Sequence, residues 1–362
     1  MSPISAAPIR AGLIGFGYAG RTFHAPLIAA TDGLAITAVA SSQVAGDLAE
    51  SLGDVIVVAT PAALLERSDI DLVVVASPND SHAPLALAAL AAGKHVVVEK
   101  PFALSLDEAR QATLAAGRAG RLLAVFHNRR WDSDFLSVRA AIDAGAIGDV
   151  VQFESHFDRF RPAVRDRWRE RAGDGGGLWY DLGPHLIDQA LLLFGLPEFV
   201  QADLAALRPG ASADDWAHAV LHYADKRIVL HASMLAAGGS ARFTVHGTAG
   251  SLVKQRGDQQ EAQLLGGMVP GAPGWGSDND PLVLHDGETT RELPVVSGDQ
   301  RRFYREVVAA IRGEGVNPVP AAQTLATMAV IEAGLRSSAE RRAVPLALTE
   351  AERSAFRASL AA

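Results

Sequence analysis

The 362-residue chain contains no cysteine. That excludes disulfides, thiolate nucleophiles and metal centres built on sulfur, and it is compatible with a reducing compartment. No apolar run approaches the roughly 20 residues that a membrane-spanning helix needs. Basic charge is not in excess either: 33 Lys and Arg against 41 Asp and Glu leave a net charge of −8. That balance argues against nucleic acid or an anionic membrane as a partner. The polar stretch Met1–Pro8 has no apolar core of secretory length. These absences predict a soluble, cytoplasmic protein.

What is present is an ordinary globular balance, 49% hydrophobic and 20% charged, in a chain too long for one ordinary core. Two domains are expected, a dinucleotide-binding one over 1–127 and a substrate-binding and oligomerisation one over 128–362. The first third alternates Val/Ile/Leu runs with helical stretches. Ile9–Gly15, Leu34–Ser41, Val55–Ala59, Leu72–Ser77, His95–Glu99 and Leu122–His127 read as parallel strands covered on both faces. Ser105-Leu106-Asp107-Glu108 is a capping box, Pro84 suits a first helical turn, and Gly93 and Gly120 stand where helices would end. This is the doubly wound α/β pattern of a Rossmann domain.

Beyond Asn128 the texture changes. Val150–Phe157, Trp216–Tyr223, Lys226–Met234, Ala241–His246 and Ser251–Lys254 follow one another without matching crossover helices. That predicts an α+β domain with a large, mostly antiparallel sheet. A Gly/Pro-rich loop over Gly266–Pro281 interrupts it, and helices from about Asp299 to Arg341 follow. The loop reads most simply as exposed.

Gly15-Phe16-Gly17-Tyr18-Ala19-Gly20 comes directly after the first strand and opens a helix. The first glycine permits the tight turn, the second lets backbone approach a pyrophosphate, and the third allows close helix–strand packing. Free amides and the helix dipole then favour the anion. The second strand ends in Ser41-Ser42-Gln43, without the carboxylate that would bind a ribose 2′-hydroxyl and repel a 2′-phosphate. NADP is therefore favoured over NAD, with Arg21 near enough to help.

Polar residues fall at other strand ends: Asn79 after the fourth, Glu99 and Lys100 after the fifth, Asn128 after the sixth. Pro101 disfavours helix at Lys100. Further on, Asp181 and His185 are four apart and would share one face of a helix, although Pro184 fits only a first turn comfortably. Asp181, His185 and Asp188 have no supporting ligand cluster, so no metal is expected. His218 and His222, four apart on a strand, are separated by roughly 13 Å and decorate one sheet face.

The glycine turn, the Glu99-Lys100-Pro101 triplet and the Asp181-x-x-x-His185 segment, in this order and spacing, resemble the glucose–fructose oxidoreductase/inositol dehydrogenase (Gfo/Idh/MocA) family. Phe23-His24-Ala25-Pro26, Asn128-Arg129-Arg130-Trp131-Asp132 and Asp158-Arg159-Phe160-Arg161-Pro162 are most similar to its NADP-linked scyllo-inositol dehydrogenase branch. The resemblance implies that Lys100, Asp181 and His185 contact the reacting alcohol. It implies that Gly15, Phe16, Gly17, Tyr18, Gly20, Ser41, Ser42, Ser77, Pro78, Asn79, His82, Glu99, Lys100 and Asn128 serve the cofactor. Asp158, Arg167 and Trp168 would join Lys100, Asp181 and His185 around a polyol or sugar. Chemically, a neutral imidazole suits proton acceptance and an ammonium suits alkoxide stabilisation, so His185 is the expected base, with Lys100 able to share the transfer. A homo-oligomer, dimer or tetramer, is expected. A sugar 1-dehydrogenase or keto-sugar reductase would use the same residues, and a non-catalytic NADP-binding regulator is the reading from another class.

Overall fold

The computed structural model describes residues 7–43, 52–173 and 175–360. Most of the polar stretch Met1–Pro8 lies outside them. The chain forms two compact units. The first takes Met1–Asn128 together with Gln260–Trp275 and Asp299–Ala321; the second takes Arg129–Gln259, Gly276–Gly298 and Ala322–Ala362.

In the first unit, β1 (Ile9–Ile14), β2 (Leu34–Ala40), β3 (Ile56–Val58), β4 (Leu72–Val75), β5 (His95–Val98) and β6 (Leu123–Val125) form one parallel sheet in the order β3-β2-β1-β4-β5-β6. All six expected strands are there. Their apolar runs are continuous because both faces are covered: Val73, Val74, Val75, Val96, Val97 and Val98 are wholly buried. Strand order reverses between β1 and β4, which leaves a crevice beyond their carboxyl ends, the usual ligand position in such sheets. The helix Leu106–Ala119 begins as expected, with Glu108 N–H donating to Ser105 Oγ at 3.1 Å. The returning carboxylate reaches Leu104 N–H rather than the Ser105 amide. Gly120 ends the helix at φ +60°, a conformation that favours glycine.

The second unit contains an eight-stranded sheet built from β7 (Val150–Asp158), β8 (Phe199–Ala205), β9 (Trp216–His222), β10 (Arg227–Ser233), β11 (Phe243–Gly247), β12 (Gly250–Lys254), β13 (Leu282–His285) and β14 (Thr290–Leu293). Its order is β14-β13-β12-β11-β7-β10-β9-β8. Every pairing is antiparallel except β7 with β10. Alternation sorts the side chains. Phe153, Ser155, Ile228, Leu230, Ala217 and Ala219 are buried on the face against the helix Leu178–Phe194, and their neighbours in sequence point the other way.

Two polar anchors hold this unit together. Arg242, 4% exposed, donates to Asp134 at 3.0 Å, Ser155 Oγ at 2.5 Å and Gln189 Oε1 at 2.8 Å, so the residue just before β11 ties β7 to two helices. Lys254 is fully buried and clamped by Asp278 at 3.0 Å and Asp280 at 2.7 Å. The loop Gly266–Pro281 is thus not simply exposed, because its end supplies the counter-charges for a core lysine. Among the described residues no helix is long and apolar enough to cross a membrane.

Candidate active site

The glycine turn is built as a cradle. Gly15 has φ +93°, and a Cβ there would lie 2.5 Å from the Ala76 carbonyl oxygen at the end of β4. A Cβ on Gly20 would lie 2.5 Å from the Gly15 carbonyl oxygen, which explains the tight helix–strand approach. At Gly17 a Cβ would meet nothing within 4 Å. Two glycines are therefore required by close packing, and the middle one faces open space at a helix start, as a bound pyrophosphate needs. The turn is braced by Gln43 Nε2 donating to the Phe16 carbonyl at 3.0 Å. Ser41 Oγ accepts from Gln43 N–H, and Ser42 is exposed. Tyr18, 52% exposed, donates to Glu261 Oε1 at 2.7 Å.

Parallel register carries further expected residues to the same sheet edge. Ile14, Val75, Val98 and Val125 are paired in one row, so Gly15, Ala76, Glu99 and Phe126 form the next. Ser77 Oγ pairs with Ser81 Oγ at 2.6 Å over the turn that holds Pro78 and the buried Asn79. His82 is buried between the Pro101 carbonyl at 2.7 Å and the Ser77 carbonyl at 2.9 Å, linking the β4 turn to the Lys100-Pro101 segment. Burial lowers the His82 pKa against the pull of those two carbonyls. Asn128 is buried just past β6.

Glu99 is not an exposed cofactor contact. Its Oε2 accepts the Lys100 backbone N–H at 2.9 Å, and its Oε1 lies 3.1 Å from His24 Nε2. His24 Nδ1 is 2.6 Å from the Tyr304 hydroxyl. The carboxylate therefore fixes the backbone at Lys100 and is itself held by a buried Tyr304–His24 chain. Burial alone would raise the Glu99 pKa, but the His24 hydrogen bond and the charges of His24 and Lys100 outweigh it and hold it below the ordinary 4.5. A depressed folded-state pKa means stability that is present above the unfolded value and lost as pH falls through the folded one. Melting temperature should then fall more steeply below about pH 4.5 in the native chain than in a Glu99→Gln variant. Parallel acid limbs in the two proteins would show that Glu99 is not held ionised.

In the second unit, Asp181 and His185 lie on the helix Leu178–Phe194 and share a face by their four-residue spacing. The helix starts earlier than Pro184 suggested. Asp214 anchors its first turn, accepting Trp179 N–H at 2.7 Å, and Asp181 stands in that turn. Pro184 lies inside the helix, where it has no N–H to donate to the Tyr180 carbonyl. Trp179 fixes the helix axis: it is 1% exposed and its Nε1 donates to Ile331 O at 3.0 Å. Asp188 is committed to a bidentate buried pair with Arg130, at 2.8 and 2.5 Å, so it offers nothing to a metal.

Asp181 is flanked by Arg159 at 3.9 Å and Arg169 at 3.8 Å. It lines a small depression together with Arg167, Arg169, Asp214 and Met234. Arg167 donates to Glu170 at 2.7 Å, and the Arg169 guanidinium lies over the Trp168 ring at 4.5 Å. Asp158 requires a correction. Phe157 turns toward His185, with ring centroids 6.4 Å apart, so Asp158, the next residue along β7, points to the opposite face. There it meets His156 and His231 and takes no part in the Asp181–Arg167 depression. Sequence reasoning had not singled out Arg159 and Arg169 as neighbours of Asp181; the arginine density from Arg159 to Arg171 was the available signal.

The chain matches the model for the oxidoreductase family's NAD-binding Rossmann fold over residues 9–127 and the model for that family's C-terminal alpha/beta domain over 139–346. The Escherichia coli (strain K12) protein YdgJ, described as an uncharacterized oxidoreductase, is 50% identical over 343 residues, spanning 94% of this chain and 99% of its own. The scyllo-inositol 2-dehydrogenase (NADP(+)) IolW of Bacillus subtilis (strain 168) is 34% identical over 344 residues, with 93% and 96% covered. A solved structure of a Klebsiella pneumoniae protein aligns with a TM-score of 0.92 at 51% identity, covering 98% of this chain and 100% of that one. A glycine cradle at the switch point of a parallel sheet, joined to a mostly antiparallel second sheet, thus belongs to an NAD(P)-binding oxidoreductase of the Gfo/Idh/MocA family.

Proposed function

We propose that the chain transfers a hydride between NADP and a secondary alcohol of a cyclic polyol or sugar, of the scyllo-inositol kind. The observation that carries this reading is the strand-end row in which Glu99 locks the backbone at Lys100 on the edge that holds the glycine cradle. The relatives support the substrate class: IolW acts on scyllo-inositol with NADP, and an inositol 2-dehydrogenase of Rhizobium meliloti (strain 1021) is 30% identical over 349 residues.

Bound nicotinamide would supply the hydride acceptor at its ring carbon. Gly15, Phe16, Gly17, Tyr18 and Gly20 would hold the pyrophosphate, and Ser41 and Ser42 would accommodate a 2′-phosphate. Ser77, Pro78, Asn79, His82 and Asn128 would line the rest of the cofactor's path. Hydride leaves a carbinol carbon readily only as the hydroxyl proton is removed. His185 takes that proton, and the Lys100 ammonium hydrogen-bonds the same oxygen and stabilises its developing charge. Asp181 accepts a hydrogen bond from a neighbouring hydroxyl.

Absorbance at the reduced-nicotinamide band tests this with NADP and NAD against inositols, hexoses and pentoses. Turnover with an inositol and a preference for NADP are expected, and Ser42→Asp should lower that preference at least about tenfold by repelling the 2′-phosphate. Tight NADPH binding with no turnover across the panel would favour the regulator instead.

The arginines favour a second reading, an acidic sugar as substrate. Arg159, Arg165 and Arg167 surround Arg161 closely enough to add to burial in lowering its pKa, and Asp181 faces both Arg159 and Arg169. Concentrated guanidinium charge suits a carboxylate or phosphate. A uronate or sugar phosphate outperforming the parent sugar in kcat/KM, with the advantage shrinking as salt rises, would select it.

A further inference from the structure

The face of the second sheet turned away from the helix Leu178–Phe194 carries a row of histidines. His218 of β9, His231 of β10 and His156 of β7 are cross-strand partners in register, and Asp158 follows His156 on the same face. Neighbouring rings are 5.4 and 5.2 Å apart between centroids. His156 Nδ1 is 3.8 Å from Asp158 Oδ2, and His231 Nε2 is 3.6 Å from Asp158 Oδ1. Both separations are too long for a hydrogen bond. They are close to the roughly 3.4 Å between donor atoms that share a tetrahedral ion at about 2.1 Å. One donor atom from each of the three residues lies within 4.8 Å of the others.

Two of these atoms, His156 Nδ1 and Asp158 Oδ1, are buried and have no hydrogen-bond partner among the described residues. The Asp158 side chain is only 4% exposed. A buried carboxylate oxygen left in this way calls for a positive partner. The outward nitrogens are meanwhile held. His156 Nε2 lies 3.3 Å from Glu154 Oε2, whose other oxygen accepts from Gln152 at 2.5 Å. His231 Nδ1 lies 3.3 Å from His218 Nδ1. An imidazole with one nitrogen steered by a carboxylate and the other turned inward is the usual outer arrangement of a metal ligand.

We propose that His156, Asp158 and His231 bind a first-row divalent cation of the zinc type, with Glu154 and His218 as positioning residues. Two imidazoles and one carboxylate suit Zn2+ or Co2+ and disfavour Mg2+ and Ca2+, which take oxygen donors. The ion bridges β7 and β10, the parallel pair of the sheet, and so cross-links strands far apart in sequence. It lies on the face of β7 opposite Phe157 and His185 and has no part in the proposed hydride transfer. The sequence expectation of no metal missed it because these residues become neighbours only through strand pairing.

The test uses the untagged full-length chain, stripped with EDTA and titrated with Zn2+ by calorimetry and with Co2+ by visible absorption. One ion per chain is expected, with Co2+ bands of a tetrahedral nitrogen–oxygen site and a melting temperature raised by Zn2+. His231→Gln and Asp158→Asn should each weaken Zn2+ binding at least about tenfold and abolish the thermal shift, while the exposed His285→Gln changes neither. Metal-free melts of each variant establish that it is folded, and if one fails to fold the other decides. No stoichiometric uptake by the native chain, or uptake equally tight in the folded variants, overturns the proposal.

Discussion

Replacing Lys100 with Met is expected to lower turnover by roughly 10²–10⁴-fold while leaving NADPH affinity within a few-fold of native. The change keeps the length of the side chain and removes only the ammonium. The backbone at this position is fixed independently of the side chain, since Glu99 Oε2 accepts the Lys100 N–H and His24 and Tyr304 hold Glu99. The glycine cradle also does not depend on the amine. The loss should therefore appear in kcat, because the ammonium's interaction strengthens as charge develops on the substrate oxygen. Rates and NADPH fluorescence titrations on the two proteins separate the effects. Unchanged turnover would remove Lys100 from the chemistry.

Asp188→Ala is expected to destabilise the second unit by about 3–5 kcal/mol, because it takes from the buried Arg130 guanidinium the carboxylate that binds two of its nitrogens. Arg130 is 8% exposed and both of its bonds to Asp188 are short. The double variant Arg130→Met with Asp188→Leu removes both charges at similar volume and should recover most of the loss. Urea denaturation of the three proteins measures this. Equal losses in the single and double variants would mean that packing, not the broken charge pair, is at stake. The same helix carries Asp181 and His185, so this pair supports the proposed reaction through the placement of that helix.

The parts of the fold that were legible in the sequence are those determined locally. Six continuous apolar runs, a glycine turn directly after the first of them and a capping box at Ser105 each depend on neighbours a few residues away, and each is found. What was illegible depends on partners distant in the chain. β13 and β14 have four residues each, and β14 is almost wholly exposed; they are strands because β12 pairs with β13 and β13 in turn with β14. The charged helix Glu350–Leu360 buries only Phe356. The Tyr304–His24 bond joins residues 280 apart and brings a late helix into the first unit, with no local trace.

At the candidate site, residue types were more readable than directions. Lys100 follows the fifth strand, and Asp181 and His185 share a helix face as their spacing implies. Asp158 was grouped with them by resemblance, yet one step along a strand reverses the side chain, so Phe157 rather than Asp158 faces His185. Glu99 was expected among the cofactor contacts, and its hydrogen bonds instead run to the backbone at Lys100 and to His24. Pro184 pointed to a later helix start, but Asp214, on a distant loop, provides the N-terminal anchor that local reading lacked.

Isotope transfer tests the central claim most directly. The chain is incubated with NADP+ and scyllo-inositol deuterated at the carbinol carbons, and the nucleotide product is weighed by mass spectrometry. NADPH one mass unit heavier, formed in step with the inosose and greatly slowed in the His185→Asn variant, is the expected result. Unlabelled NADPH, or labelled NADPH formed equally fast without His185, would contradict it.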